Sequence, residues 1–221
     1  MGKLIVIEGL DGSGKSTQLQ LLEKSLQNIG ARFRTLSFPN YDSPAAAPLK
    51  MYLGGEFGKN PDDVNAYAAS ILFTVDRFAS FKTTWEDFYN NGGILLSARY
   101  TTSNVIHQAS KLPKECWDEY IDWLYEFEFN KVKIPKPDLV IFLDMPNDIS
   151  SALISSRYGG DEAKRDIHEN NREYLQNCRD VANYACKKLN WKIVSCAQDG
   201  KPRPREEISA DILKLVKDVI K

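Results

Sequence analysis

Gly9 and Gly14-Lys15-Ser16 stand at the spacing G-x-x-x-x-G-K-[ST] inside the run Gly9-Leu10-Asp11-Gly12-Ser13-Gly14-Lys15-Ser16-Thr17. That pattern suits phosphate. Glycines accept positive φ and let the backbone come close, so successive N–H groups can point at phosphate oxygens. Lys15 offers a mobile positive charge to the β- and γ-phosphates, and Ser16 offers a hydroxyl to Mg²⁺. A helix starting here adds the partial positive charge of its N-terminus. The run from Gly9 to Thr17 is therefore expected to bind a nucleoside triphosphate with Mg²⁺.

Such a loop serves kinases, GTPases and motors alike. A regulatory GTPase would carry a guanine-reading N-K-x-D segment, and the chain has none. A small-molecule kinase needs instead a second pocket that aligns an acceptor with the γ-phosphate. Phosphoryl transfer is mainly positioning and charge neutralisation, so arginines and an aromatic platform are expected near the ends of strands.

The elements that must position these groups are legible in the pattern. Lys3 to Ile7 is a short apolar run, as in a strand buried on both faces. After the glycine-rich turn, Leu19, Leu22, Leu26 and Ile29 recur at helical spacing, and Gly30 closes that helix. Further strands are expected at Phe33–Ser37, Ile94–Ser97, Leu139–Leu143 and Lys192–Val194. Helices are expected at Val64–Tyr89, Thr102–Ser110, Lys114–Phe129, Ile149–Ser156, Asp166–Lys188 and Glu206–Ile220. Strands alternating with helices imply βαβ units and a parallel sheet covered on both faces. The expected fold is an α/β P-loop three-layer sandwich with a five-stranded parallel sheet and a mobile lid. It is read as one domain over residues 1–221, with ligands beyond the carboxyl ends of the strands.

The order of the remaining motifs resembles the thymidylate kinases, most of all the form found in Gram-positive bacteria. The resemblance runs nearly the whole length. It rests on Glu8 to Thr17, Phe38-Pro39, Phe73-Thr74-Val75-Asp76-Arg77 and Arg99-Tyr100-Thr101-Thr102-Ser103. Leu143-Asp144-Met145-Pro146 and Arg165-Asp166-Ile167-His168-Glu169 complete it. It implies transfer of phosphate from ATP to dTMP, giving dTDP for dTTP synthesis. It also implies particular roles. Asp11 would meet the deoxyribose 3′-hydroxyl, Phe73 would stack on thymine, Arg77 would donate to a base carbonyl, and Arg99 would grip the acceptor phosphate. Phe38-Pro39 and Tyr100 would shape the monophosphate side, Ser103 and Gln108 would line the base end, and His168 and Glu169 would face the nucleoside. Residues 195–201 would pass beside adenine. Homodimers are implied as well, through the faces of Val64–Tyr89 or Lys114–Phe129.

Two departures matter. Some family members carry an arginine within the phosphate loop, where this chain has Gly12 and Ser13; the transition-state cation would then come from the lid, about 155–170, as Arg157 or Arg165. The family's Asp-Arg-Tyr is here Ala98-Arg99-Tyr100, which removes a negative group near the Mg²⁺–phosphate region and implies weakened catalysis. Alternatives are a kinase for another pyrimidine nucleotide or deoxynucleotide, such as dUMP, and a non-catalytic nucleotide-binding protein.

Bulk properties exclude other classes. Among 221 residues, 29 Lys and Arg nearly balance 30 Asp and Glu, so no polyanion surface is expected and nucleic acid is not an expected partner. No apolar run reaches the roughly 20 residues needed to cross a bilayer. A cytoplasmic protein without a membrane partner is expected. Cys116, Cys178, Cys186 and Cys196 contain no C-x-x-C pair, and Cys178 and Cys186 read as small buried apolar residues.

Overall fold

The computed structural model describes residues 1–157 and 172–220, the side chains of 61, 154–157 and 172–173 excepted. Five parallel strands form the central sheet: β1 (Lys3–Glu8), β2 (Phe33–Ser37), β3 (Ile94–Ala98), β4 (Leu139–Asp144) and β5 (Lys192–Ser195). Their spatial order is β2-β3-β1-β4-β5. The chain leaves β1 towards β2 and β3 and later resumes on the other side at β4. A crevice therefore opens at the carboxyl end of β1, where such sheets bind ligands.

Alternation along each strand builds two cores. In β1, Leu4 and Val6 enter one apolar cluster, Ile5 and Ile7 the other, and all four are fully buried. β4 repeats this, with Val140 and Phe142 on the first face and Ile141 and Leu143 on the second. Such double burial explains the unbroken apolar runs of the sequence. Helices α1 (Lys15–Asn28) and α9 (Arg205–Val219) cover the second face through Leu19, Leu22, Leu26, Ile208, Ile212 and Val216. The first face carries α3 (Ala66–Ser80), α4 (Glu86–Asn90), α5 (Thr101–Ala109), α6 (Trp117–Tyr125) and α8 (Arg172–Lys188). Between β4 and α8 lies α7 (Asn147–Arg157).

Four local features differ from the expected pattern. The long helix expected over 64–89 is divided: α3 starts at an Asn65 cap whose side chain accepts from the Ala68 N–H at 2.8 Å, and a wider π-type turn, Phe81–Trp85, separates it from α4. The helix expected over 114–129 is likewise regular only in α6 and ends in a second such turn, Glu126–Lys131. A helix absent from the expectation, α2 (Ala47–Leu53), follows a 3₁₀ turn at Pro44–Ala46. Pro44 and Pro48 sit in first turns, where no N–H is needed. A small antiparallel pair, β6 (Ala197–Gln198) and β7 (Lys201–Pro202), turns at Asp199-Gly200 with φ of 52° and 71°, the positive values that a two-residue hairpin turn uses.

A candidate two-substrate phosphate site

The loop from Gly9 to Gly14 joins β1 to α1. A Cβ on Gly9 would lie 2.5 Å from Ser13 Oγ and 3.1 Å from the Leu143 carbonyl oxygen, so only glycine lets β1 turn there. Gly12 holds φ of 76° and Gly14, the residue before α1, φ of 92°. The first turn of α1 has no acidic residue and no side-chain cap, which leaves the N–H groups of Lys15, Ser16 and Thr17 available to an anion. Ser13 Oγ is buried without a partner among the described residues, and Ser16 is exposed. Lys15 Nζ donates to the carbonyls of Gly9, at 2.7 Å, and Leu10, at 2.9 Å. Burial and the neighbouring Arg99 charge lower its ammonium to about 8, against the opposing pull of Asp11 and Glu8.

Glu8 links the loop to the other half of the site. It is fully buried; Oε1 accepts from the Gly9 N–H at 3.0 Å, and Oε2 from Thr102 Oγ1 and Ser103 Oγ, each at 2.7 Å. One carboxylate thus ties the phosphate loop to the first turn of α5.

Next to it opens a cavity of about 230 Å³. Every residue expected on the acceptor side and lying within the described chain lines it: Asp11, Phe38, Pro39, Phe73, Arg77, Arg99, Tyr100, Ser103 and Gln108. Arg99 leaves the end of β3 at φ of 83°, a left-handed value that is strained for a long side chain. Its guanidinium bonds Asp11, while Asp11 also lies 3.7 Å from Lys15 Nζ. Burial alone would raise the Asp11 carboxyl, but the charges of Arg99 and Lys15 outweigh it and hold the group well below the usual carboxylate range. The same burial acts against the Arg99 cation, and the Asp11 and Glu8 carboxylates more than offset it.

Arg77 is placed differently from a simple base-reading arm. It is 2% exposed and salt-bridged to Glu128, which is fully buried and projects from the second π-type turn. Arg77 Nε donates to Glu128 Oε2 at 3.0 Å and Nη2 to Oε1. The hydroxyls of Thr74 and Thr101 also donate to this carboxylate. Arg77 therefore meets the cavity with its remaining edge, held by a carboxylate that Thr74 and Thr101 hold in turn. Phe73 stands half-buried beside it, edge-on to Tyr52 with ring centroids 6.3 Å apart. Phe38 packs at 5.7 Å on Tyr100, whose hydroxyl donates to the Pro135 carbonyl at 3.0 Å; the Phe38–Pro39 peptide is cis.

Sequence reasoning missed Tyr52, Asn104, His107, Lys111 and Tyr174, all of which line the cavity. A signal existed for two of them: Asn104–Gln108 and Ser103–His107 are pairs four apart on one helix and so share a side with residues already singled out. Asn104 Nδ2 and Gln108 Oε1 are buried without partners among the described residues, a donor and an acceptor at the cavity wall. Tyr52 arrives on α2 and Tyr174 on α8, elements that tertiary packing alone brings here. Arg157 is the last residue of α7; Arg165, His168 and Glu169 lie outside the described residues, as does most of the expected lid. Ala98 closes β3 beside Ile7 and Ser37, packed against the second core.

Cys178 and Cys186 are buried free thiols, as expected, and burial raises them to about 11 and about 12. No described helix is long and apolar enough to cross a membrane.

Comparison with known proteins agrees with this architecture. A family model described as thymidylate kinase matches residues 7–208. A thymidylate kinase of Mycobacterium tuberculosis is 30% identical over 175 residues, covering 78% of this chain and 80% of that one. A probable thymidylate kinase of Pyrobaculum aerophilum is 29% identical over 98% of this chain and 97% of its own length. The solved structure of thymidylate kinase from Candida albicans superposes with a TM-score of 0.68 at 22% identity, covering 98% of this chain and 92% of that one.

Proposed function

The chain belongs to the thymidylate kinase family, whose members phosphorylate dTMP to dTDP with ATP, and we propose that it does so through the two half-sites joined at Asp11, Arg99 and Glu8. The observation that supports this is that one cavity is lined by the Arg99 guanidinium and by Phe73, Arg77 and two amide atoms, on Asn104 and Gln108, without partners among the described residues.

The donor triphosphate lies against the residues from Gly9 to Thr17, where backbone N–H groups and the start of α1 receive its oxygens. Lys15 exchanges the loop carbonyls for the β- and γ-phosphates, a transfer that costs little because both sets of partners are oxygen acceptors. Among the described residues no cluster of His, Cys, Asp and Glu could hold a metal ion by itself, so Mg²⁺ is read as arriving with ATP. The exposed Ser16 hydroxyl would reach it, and its charge would neutralise the phosphates being pulled apart. On the acceptor side Arg99 grips the dTMP phosphate with the fork geometry of a guanidinium. Asp11, fully ionised, accepts from the 3′-hydroxyl. Phe73 offers a face to thymine, and Arg77, Asn104 and Gln108 meet its polar edge. The attacking phosphate oxygen is already ionised at neutral pH, so no side-chain base is required. Arg157 or Arg165 supplies the cation for the transferred phosphoryl group.

ATP consumption against dTMP, dUMP, CMP, UMP and AMP at saturating Mg²⁺ tests the reading. Turnover is expected to be greatest with dTMP. Greatest turnover with AMP or CMP would overturn the acceptor assignment, and none with any acceptor would favour a nucleotide-binding protein without catalysis.

Ala98 sets a second expectation. Ala98→Asp puts a carboxylate at the end of β3, next to Arg99, where it would help to place the metal and the acceptor. A gain in kcat on the order of tenfold is expected from such positioning; unchanged turnover in a rapid assay would sink the idea.

The proposal extends to a homodimer in the cytoplasm, formed by residues 1–221 as one domain. Ile71, Val75 and Phe78 form an apolar stripe on α3, each more than two-fifths exposed, a surface that favours burial against a second copy. The apolar face of α6 is instead core, since Tyr120, Ile121 and Leu124 are fully buried. Sedimentation showing only monomer at micromolar concentration would remove the dimer, and cell fractionation checks the location.

A further inference from the structure

His107 sits on α5 one turn beyond Ser103, half-buried, and no step above uses it. Its Nε2 lies 3.2 Å from Arg99 Nη1. Its Nδ1 lies 3.1 Å from the Tyr174 hydroxyl and 3.7 Å from Cys178 Sγ. The His107 and Tyr174 rings are nearly parallel, 21° apart, with centroids 6.3 Å from each other. A guanidinium offers donors only. Nε2 facing it must therefore be the unprotonated, accepting nitrogen, and the ring proton belongs on Nδ1, where it donates to the Tyr174 oxygen. Arg99 is thus held from two sides, by the Asp11 carboxylate and by a neutral imidazole. Arg99 needs such support: its backbone is strained at the end of β3, and its long side chain has many rotamers to lose.

We infer that neutral His107 is the positioning residue for Arg99, fixing the guanidinium where it receives the acceptor phosphate, and that protonation of the ring releases it. The inference rests on the reading of Arg99 as the acceptor-phosphate clamp. A second ring proton would point Nε2–H at an N–H donor, replacing a hydrogen bond by the repulsion of two cations.

Among the described residues, the other groups facing the ring do not reverse this. From the phosphate loop, Asp11 favours a charged ring, but its Oδ1 is already engaged by Arg99 and lies near Lys15. From α8, Tyr174 and Cys178 are kept neutral near pH 7 by burial, which raises both. From α2, the Tyr52 hydroxyl accepts from Lys111 Nζ at 3.0 Å. Across the cavity, the Arg77 charge is balanced by Glu128.

The test is steady-state kinetics of the full chain with dTMP and ATP from about pH 5.5 to 8.5, spanning the histidine range, for the parent, His107→Gln and His107→Leu. Gln keeps an acceptor that cannot be protonated; Leu keeps bulk alone. At the alkaline end His107→Leu is expected to raise the KM for dTMP about tenfold, the loss of one hydrogen bond to a charged group, with the KM for ATP unmoved. His107→Gln should recover part of that loss. On acidification the parent's KM for dTMP should climb more steeply than that of His107→Gln. The acceptor's own second phosphate ionisation, near pH 6, affects both proteins equally and cancels in the comparison. Parallel pH profiles for the parent and His107→Gln would overturn the inference, as would a Leu variant that binds dTMP like the parent. If the Leu variant fails to fold, the comparison with Gln still decides. Arg99→Ala separates the two layers: an unchanged KM for dTMP defeats the clamp itself. A raised KM there, with His107 variants behaving like the parent, defeats only the positioning role.

Discussion

Lys15→Ala is expected to lower kcat/KM for phosphoryl transfer by about a thousandfold or more, the scale on which a cation touching the transferred phosphate acts. The fold should hardly notice. Among the described residues, Lys15 Nζ bonds the carbonyls of Gly9 and Leu10 and approaches Asp11, which keeps Arg99 as its partner. Stability should therefore fall by no more than about 1 kcal/mol, as for an ordinary partly exposed substitution, which lowers the melting temperature by about 2–4 °C. Activity and melting must be measured on the same preparation: a variant retaining a tenth of parental kcat/KM would remove Lys15 from the mechanism. The parent should carry a related signature. Because burial and Arg99 bring the ammonium down to about 8, the charge is present below that pH and lost as pH rises through it. The kcat/KM for ATP, which reports the free enzyme, should fall on that limb. The limb should be weaker in kcat, because bound phosphates favour the charged amine.

Glu128→Ala should produce the largest loss of stability, about 3–5 kcal/mol, and a fall in melting temperature of about 10 °C or more for a chain of this size. The carboxylate is fully buried and serves four donors: Arg77 Nε and Nη2, and the hydroxyls of Thr74 and Thr101. Removing it strands a guanidinium that is 2% exposed. An apolar pair need not cost as much, since buried ion pairs often do no better than hydrophobic replacements. Arg77→Met with Glu128→Leu should recover much of the lost stability while weakening dTMP binding, which would separate the structural from the recognition role of Arg77. Denaturant melts of the three variants check this; a Glu128→Ala protein within 1 kcal/mol of the parent would show that the pair is not what holds α3 to the turn after α6.

These two residues also mark how far the sequence could be read. Lys15 was legible because its meaning is local: a strand, a glycine turn and a helix within one stretch of chain create the site. The same holds for the buried strands, whose apolar runs reflect helices on both faces, and for Arg99, which follows one of those strands. Arg77 was legible as a pocket residue by its spacing from Phe73, but its partner was not. Glu128 lies 51 positions away, in a π-type turn that no helical periodicity announces. Tyr52 was hidden for another reason: the prolines before it look like helix breakers until their place in first turns is known. His107 and Tyr174 meet only because α5 packs on α8, a tertiary fact. The Asp199-Gly200 turn is legible in the sequence, because these residue types favour the positive φ of a two-residue hairpin.

Glu8 has a consequence of a different sort. Its two oxygens pin the Gly9 amide on one side and Thr102 and Ser103 on the other, so the spacing between the two half-sites is fixed by a single buried carboxylate that no domain hinge can lengthen. The protein behaves as a gauge block. An acceptor is admitted by how far its phosphate stands from its sugar and base as much as by how tightly either end is held. A molecule with one atom too many between them would fill both ends of the cavity and still present its oxygen out of reach.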